Sequence, residues 1–102
     1  MPDPNREALR RKLNLETARL SWRELQPHFA RGVVVVVSSE LDLVDVAAAT
    51  AVNDSQAVKS WHDGGLMALA SDDDARRWHR NDPELWAVVV APWVLVQEAR
   101  SP

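Results

Sequence analysis

The sequence predicts an α+β domain of winged helix-turn-helix type, with N-terminal helices followed by a three-stranded antiparallel sheet and a helical insertion in place of the wing. Three observations carry that expectation. Residues 33–37 are consecutive valines, a β-branched run too short for a stable isolated helix and suited to a strand covered on both faces. Residues 42–63 hold two short helical patterns parted by a cramped polar turn and closed by Gly64 and Gly65, as a helix-turn-helix requires. Two apolar segments, 66–70 and 85–96, then flank a polar excursion, which gives the strand, wing, strand order.

From the N-terminus, Asn5 can cap a helix whose Leu9 and Leu13 share one stripe with Leu20, while Arg10, Arg11 and Lys12 cluster away from it. Ser21 with Glu24 three residues on is a capping-box pattern, so a second helix should start at Trp22 and run toward Arg31, with Gly32 ending it. Pro27 has no N–H to donate, which predicts a kink or break near Gln26. Asp42 with Asp45 marks the next helix start, with Leu43, Val46, Ala47 and Ala51 inward. Asp54 or Ser55 then caps a shorter helix on which Val58 and Trp61 share a face, and the glycine pair stops it.

Ser71 with Asp74 predicts a helix to Arg80, closed by Asn81, Asp82 and Pro83. The segment 85–96 reads as one long strand, with a bulge or an edge position at Pro92. The long strands are apolar at consecutive positions, so the sheet should have two dry faces, of which the helix-turn-helix covers only one. Something must lie against the other. The candidates are the helix bearing Trp78, the N-terminal helices, or a second copy of the chain.

The 102 residues, 46% hydrophobic, suffice for a single domain over 1–102, frayed at 1–5 and 98–102. Cysteine is absent, which excludes disulfides and thiolate metal sites. The opening residues lack the layout of a secretory signal, and the longest apolar stretch falls short of the ~20 residues of a membrane span. A cytoplasmic, non-membrane protein is the expectation. The net charge of −3 conceals an asymmetry: residues 1–31 hold seven bases against four acids, and the rest hold five bases against eleven acids. Such segregation can pair two copies head to tail, although a mixed-charge helix is also simply a solvated face.

The chemistry-bearing residues form no catalytic or metal-binding pattern. His28, His62 and His79 show no spacing that sets two on one helical face. Asp72, Asp73 and Asp74 sit where a helix N-terminus favours negative charge. Gly64-Gly65 follows a helix rather than preceding one and makes no phosphate cradle. Ser38 and Ser39 lack the flanking glycines of a nucleophile elbow. Neither a cofactor nor a metal is expected.

Five tryptophans stand against one phenylalanine and no tyrosine. Tryptophan fills small cores and also dominates interaction hot spots. Trp61 and Trp86 are expected in the core, and Trp22 or Trp78 as the contact residue. The strings Leu13-Asn14-Leu15-Glu16-Thr17-Ala18, Leu41-Asp42-Leu43-Val44-Asp45-Val46-Ala47 and Leu85-Trp86-Ala87, continuing to Val96-Gln97-Glu98, resemble a family of small bacterial proteins catalogued as a domain of unknown function. The likeness extends from Arg6 to Glu98. It implies a free-standing bacterial domain and no particular activity.

The expected function is that of a non-enzymatic module binding another protein or itself, as a homodimer, through an apolar sheet edge and an exposed tryptophan. The alternative is a DNA-binding regulator that contacts phosphate through Arg10, Arg11 and Lys12, with Gln56 and Lys59 near bases. The segment in the reading position, 55–63, carries one lysine between Asp54 and Asp63, so it offers phosphate no positive field and nucleic acid is a disfavoured partner. A second alternative is an unrecognised hydrolase or metal-binding protein.

Overall fold

A computed structural model of the chain describes residues 4–98. Helix α1 (Pro4–Glu16) leads into the short strand β1 (Ala18–Leu20), helix α2 (Trp22–Ala30) and strand β2 (Val34–Val37). Helices α3 (Leu43–Ala51) and α4 (Ser55–Asp63) follow, then β3 (Met67–Leu69), α5 (Asp72–Asn81), β4 (Leu85–Val90) and β5 (Trp93–Glu98).

Local hydrogen bonds set the helix boundaries. Ser21 and Ser71 each accept the backbone N–H three residues on and receive the returning carboxylate of Glu24 or Asp74, closing a capping box at the head of α2 and of α5. The Asp42 side chain caps α3 and the Asp54 side chain caps α4. Helix α1 starts at Pro4, so Asn5 lies within it. Helix α2 runs through Pro27 as one element. The bond that Pro27 forgoes would have gone to the Arg23 carbonyl, and both residues are exposed, so water can serve that carbonyl and the helix does not break there. Within the segments 1–5 and 98–102, residues 4 and 5 are helical and Glu98 belongs to β5. The remainder of those segments lies outside the described residues.

The three-stranded antiparallel winged sheet is not formed. The five strands make one mixed sheet in the order β1-β4-β5-β2-β3, in which β2 runs parallel to β5 with Val34, Val35 and Val36 opposite Val94, Leu95 and Val96. Every other neighbouring pair is antiparallel. Two local events separate this sheet from the expected one. The segment 85–96 is not one bulged strand but a hairpin, because Pro92, unable to donate to a ladder, occupies the turn that brings Val90 opposite Trp93. The Ala91-Pro92 peptide is cis. In addition, Ala18, Arg19 and Leu20 pair with Ala87, Trp86 and Leu85 to add an edge strand.

Alternation along the strands divides the apolar residues into two cores. On one face Val35, Val37, Met67, Val88 and Leu95 pack with Leu13 of α1 and Leu43, Val46, Ala47 and Ala48 of α3, and Val58 and Trp61 of α4 lean on this cluster. On the other, Val34, Leu85, Ala87, Val94 and Val96 pack with Trp22 and Leu25 of α2 and Trp78 of α5. The result is helix, sheet, helix in three layers. Helices α3 and α4 form over the expected segments, with Ala51 exposed where it was expected inward, but they cover a mixed sheet beside α1. The insertion α5 covers the opposite face and does not replace a wing.

The segregated charge is used within the chain. Arg10 of α1 bonds to Asp45 and lies 3.6 Å from Asp42, and Arg6 lies 3.6 Å from Asp54. The basic first helix thus meets the acidic starts of α3 and α4, where the carboxylates also cap the helices.

Candidate functional site

Strand β3 ends the sheet on one side. Its pairing with β2 aligns Val36 with Ala68, Ala70 donates to the Val34 carbonyl at 2.9 Å, and the Ser38 N–H donates to the Leu66 carbonyl at 2.8 Å. In an antiparallel ladder hydrogen-bonded pairs alternate with non-bonded ones. The Leu66 carbonyl, Ala68 and the Ala70 N–H therefore face β2, the Leu66 N–H donates to the Trp61 carbonyl at 2.8 Å, and the N–H and C=O of Met67 and Leu69 point to the open side. No strand among the described residues pairs with that side.

Between this edge, α4 and the start of β5 lies a groove of about 400 Å³. Val35, Val58, Met67, Leu69, Trp93 and Leu95 supply its apolar lining, and Thr50, Ser55, Lys59 and His62 supply its polar lining. Leu69 is 59% exposed and Trp93 36% exposed, which is high for apolar side chains beside a shared groove. The Thr50 hydroxyl is committed to the Val46 carbonyl at 2.8 Å, and His62 has Asp63 at 3.7 Å. Chemically the site can exchange water for apolar contact and can extend a backbone ladder.

Edge β1, at the other end of the sheet, is built differently. Its central residue Arg19 bonds to Glu84 at 3.2 Å and lies over the Trp86 ring, 4.8 Å from its centroid. A charged side chain on an edge strand discourages pairing with another chain. Strand β3, Met-Ala-Leu, carries no charge and no proline.

The residues expected at contact surfaces fall elsewhere. Trp78 is fully buried and Trp22 is 8% exposed; their rings lie 5.7 Å apart between α2, α5 and the sheet. The expected contact role for these two finds no exposed surface, because the second sheet face needs bulky cover and they provide it. The Trp78 indole donates to Glu98 Oε1 at 2.8 Å, and Arg77 donates to the same oxygen at 2.7 Å. Burial alone would raise the Glu98 pKa, but the bonds from Arg77 and Trp78 outweigh it and hold the carboxyl below its ordinary value. Glu98 in turn raises the Arg77 pKa. Trp61 and Trp86, expected in the core, are half-buried against it.

Of the basic residues, Arg10 and Arg11 line a small polar pocket with Glu7 and Asp42, with Arg10 engaged by Asp42 and Asp45 and Arg11 4.0 Å from Glu7. Lys12 and Gln56 are exposed, and Lys59 borders the apolar groove on another part of the fold. Among the described residues no group of three His, Asp or Glu side chains is placed to hold a metal ion, and no helix is long and apolar enough to cross a membrane. The sequence reading missed Leu69 and Trp93. The available signal was the uncharged Met-Ala-Leu strand, but nothing local says that it lies at an edge.

No curated protein matches the sequence. The solution NMR structure of PA1075 from Pseudomonas aeruginosa is similar, with 45% sequence identity over 97% of this chain and 89% of that one, and a TM-score of 0.80. A family model matches residues 8–98. The chain accordingly belongs to the family described as a protein of unknown function, DUF2288.

Proposed function

We propose that this chain is a non-enzymatic protein-interaction module whose contact surface is the open edge β3 together with Leu69, Trp93 and the groove beneath α4. The observation that carries this reading is the contrast between the two sheet edges. Strand β1 is guarded by Arg19 and Glu84, whereas β3 leaves its outward backbone groups and an exposed leucine unguarded. Open strand edges flanked by apolar pockets serve as strand-addition sites, the backbone ladder giving affinity and the pockets giving selectivity. The lining supports binding more than catalysis, since apolar side chains surround the groove and its titratable groups, Lys59 and His62, are exposed.

The test is affinity capture from the native cell with the wild-type chain and with a Leu69→Glu, Trp93→Ala double variant whose fold is checked by circular dichroism. The reading expects a protein, this chain included, to be retained by the wild type and lost by the variant. Equal retention by both, or no retention by either, overturns it.

A further inference from the structure

Resting on the interaction-module reading, we infer that the occupant of the β3 edge is a second copy of this chain, joined across a twofold axis so that the two sheets become continuous.

The geometry of β3 is self-complementary. Its outward groups belong to Met67 and Leu69, with Ala68 between them bonded to β2. If two copies run antiparallel with Ala68 on the axis, Met67 of each faces the partner's Leu69 as a hydrogen-bonded pair. That register satisfies the outward N–H and C=O of Met67 and of Leu69 on both chains. A twofold contact of one patch with itself closes at the dimer and leaves no free edge to propagate.

The side chains fit the same register. Directly opposed residues in an antiparallel pair share a face, so Leu69 comes to lie beside the partner's Met67. Met67 lines the groove and is 8% exposed, while Leu69 stands 59% exposed at the groove's border. Each Leu69 would therefore close the mouth of the neighbouring groove, removing apolar area from water on both sides. Edge charge points the same way. The guarded edge β1 carries Arg19, and the unguarded edge carries only Met67, Ala68 and Leu69, so no like charges meet across the axis within the paired strands.

The test uses the absence of cysteine from the sequence. Ala68→Cys places a thiol on the proposed axis, in a non-hydrogen-bonded pair whose Cα atoms lie about 4.5 Å apart, within the range that a disulfide spans. The control is Leu15→Cys, on the exposed side of α1 at a residue 85% exposed. The expected result is a covalent dimer of Ala68→Cys forming at least roughly tenfold faster than that of Leu15→Cys, the difference between held and chance encounters. Wild-type chain should also rise in light-scattering mass from one toward two chains with concentration, and Leu69→Glu should hold the mass at one chain while keeping its circular dichroism and thermal midpoint. A wild type of single-chain mass up to about 1 mM, equal cross-linking rates for the two cysteine variants, or a dimer indifferent to Leu69→Glu each overturns the inference. A monomeric wild type that still captures a different protein, lost with Leu69→Glu, overturns the second copy and leaves the interaction-module reading standing.

Discussion

Trp78 Nε1 donates to Glu98 Oε1 at 2.8 Å, joining the middle of α5 to the end of β5. Arg77 donates to the same oxygen through Nε at 3.2 Å and Nη2 at 2.7 Å. One carboxylate thus locks the insertion helix onto the sheet and satisfies a buried indole. By contrast, Trp22 Nε1, in the same core, is buried with no hydrogen-bond partner among the described residues.

That difference predicts unequal costs for the same substitution. Trp78→Phe removes a bond to a charged acceptor, a class of bond contributing about 1.5–3 kcal/mol, and Trp22→Phe removes none. In urea unfolding, Trp78→Phe should cost at least ~1 kcal/mol more than Trp22→Phe. Equal losses would show that packing volume alone matters at both positions.

Glu98 should make stability depend on acid. Its carboxyl is held below the ordinary 4.5 in the folded chain, so the fold favours the ionised form. The stabilisation is fully present above the unfolded-state pKa and is lost as pH falls through the lower folded value. The gap in thermal midpoint between wild type and Glu98→Gln should therefore be widest near neutral pH and narrow below about pH 4. A gap unchanged down to pH 2 would contradict this.

Gln97 Nε2 donates to the carbonyls of Ser38 and Leu41 at 2.8 and 2.7 Å, fastening the loop between β2 and α3. Gln97→Glu keeps the shape but turns a carboxylate oxygen toward two carbonyls. A loss of about 1–3 kcal/mol is expected at neutral pH, in the range for stranding part-buried polar groups. Part of it should return on acidification, as the protonated carboxyl regains a donor. Chemical denaturation at the two pH values measures both.

The Arg10 pairs should matter less than the helix cap they touch. Arg10→Ala breaks partly exposed contacts with Asp42 and Asp45 and should cost under ~1 kcal/mol, shrinking further in high salt. Asp42→Ala also removes the cap that accepts Val44 N–H at 2.9 Å and should cost ~1 kcal/mol more, largely retained in salt. Denaturation of both variants at low and high salt separates the two contributions.

Surface and core tryptophans should part company. Trp78→Ala empties a fully buried site and is expected to cost about 3–5 kcal/mol. Trp93→Ala, at the groove, should change the thermal midpoint by no more than a few degrees, on the order of 1 kcal/mol or less in a chain of this size, while weakening association. Thermal melts and a concentration series on the same samples decide it.

The candidate site was only half legible in the sequence. An apolar sheet edge with an exposed tryptophan is what the composition suggests, yet the exposed tryptophan is Trp93, and Trp22 and Trp78 are enclosed. Nothing near Trp78 in sequence reveals its burial; that depends on Glu98 and on the Leu85, Val94 and Val96 face of the sheet, all supplied by later segments.

The sequence by itself determined where α2, α3, α4 and α5 begin. Ser21, Asp42, Asp54 and Ser71 act on N–H groups two or three residues away, and such bonds form whatever the rest of the chain does. It also determined that valine-rich segments become strands with two faces to cover. Only the tertiary structure decided the strand order, the parallel match of Val35 with Leu95, the recruitment of Ala18, Arg19 and Leu20 to the edge, and which strand was left open. Partners in a sheet are chosen among segments far apart in the chain by the joint burial of both faces, a property that no single segment possesses.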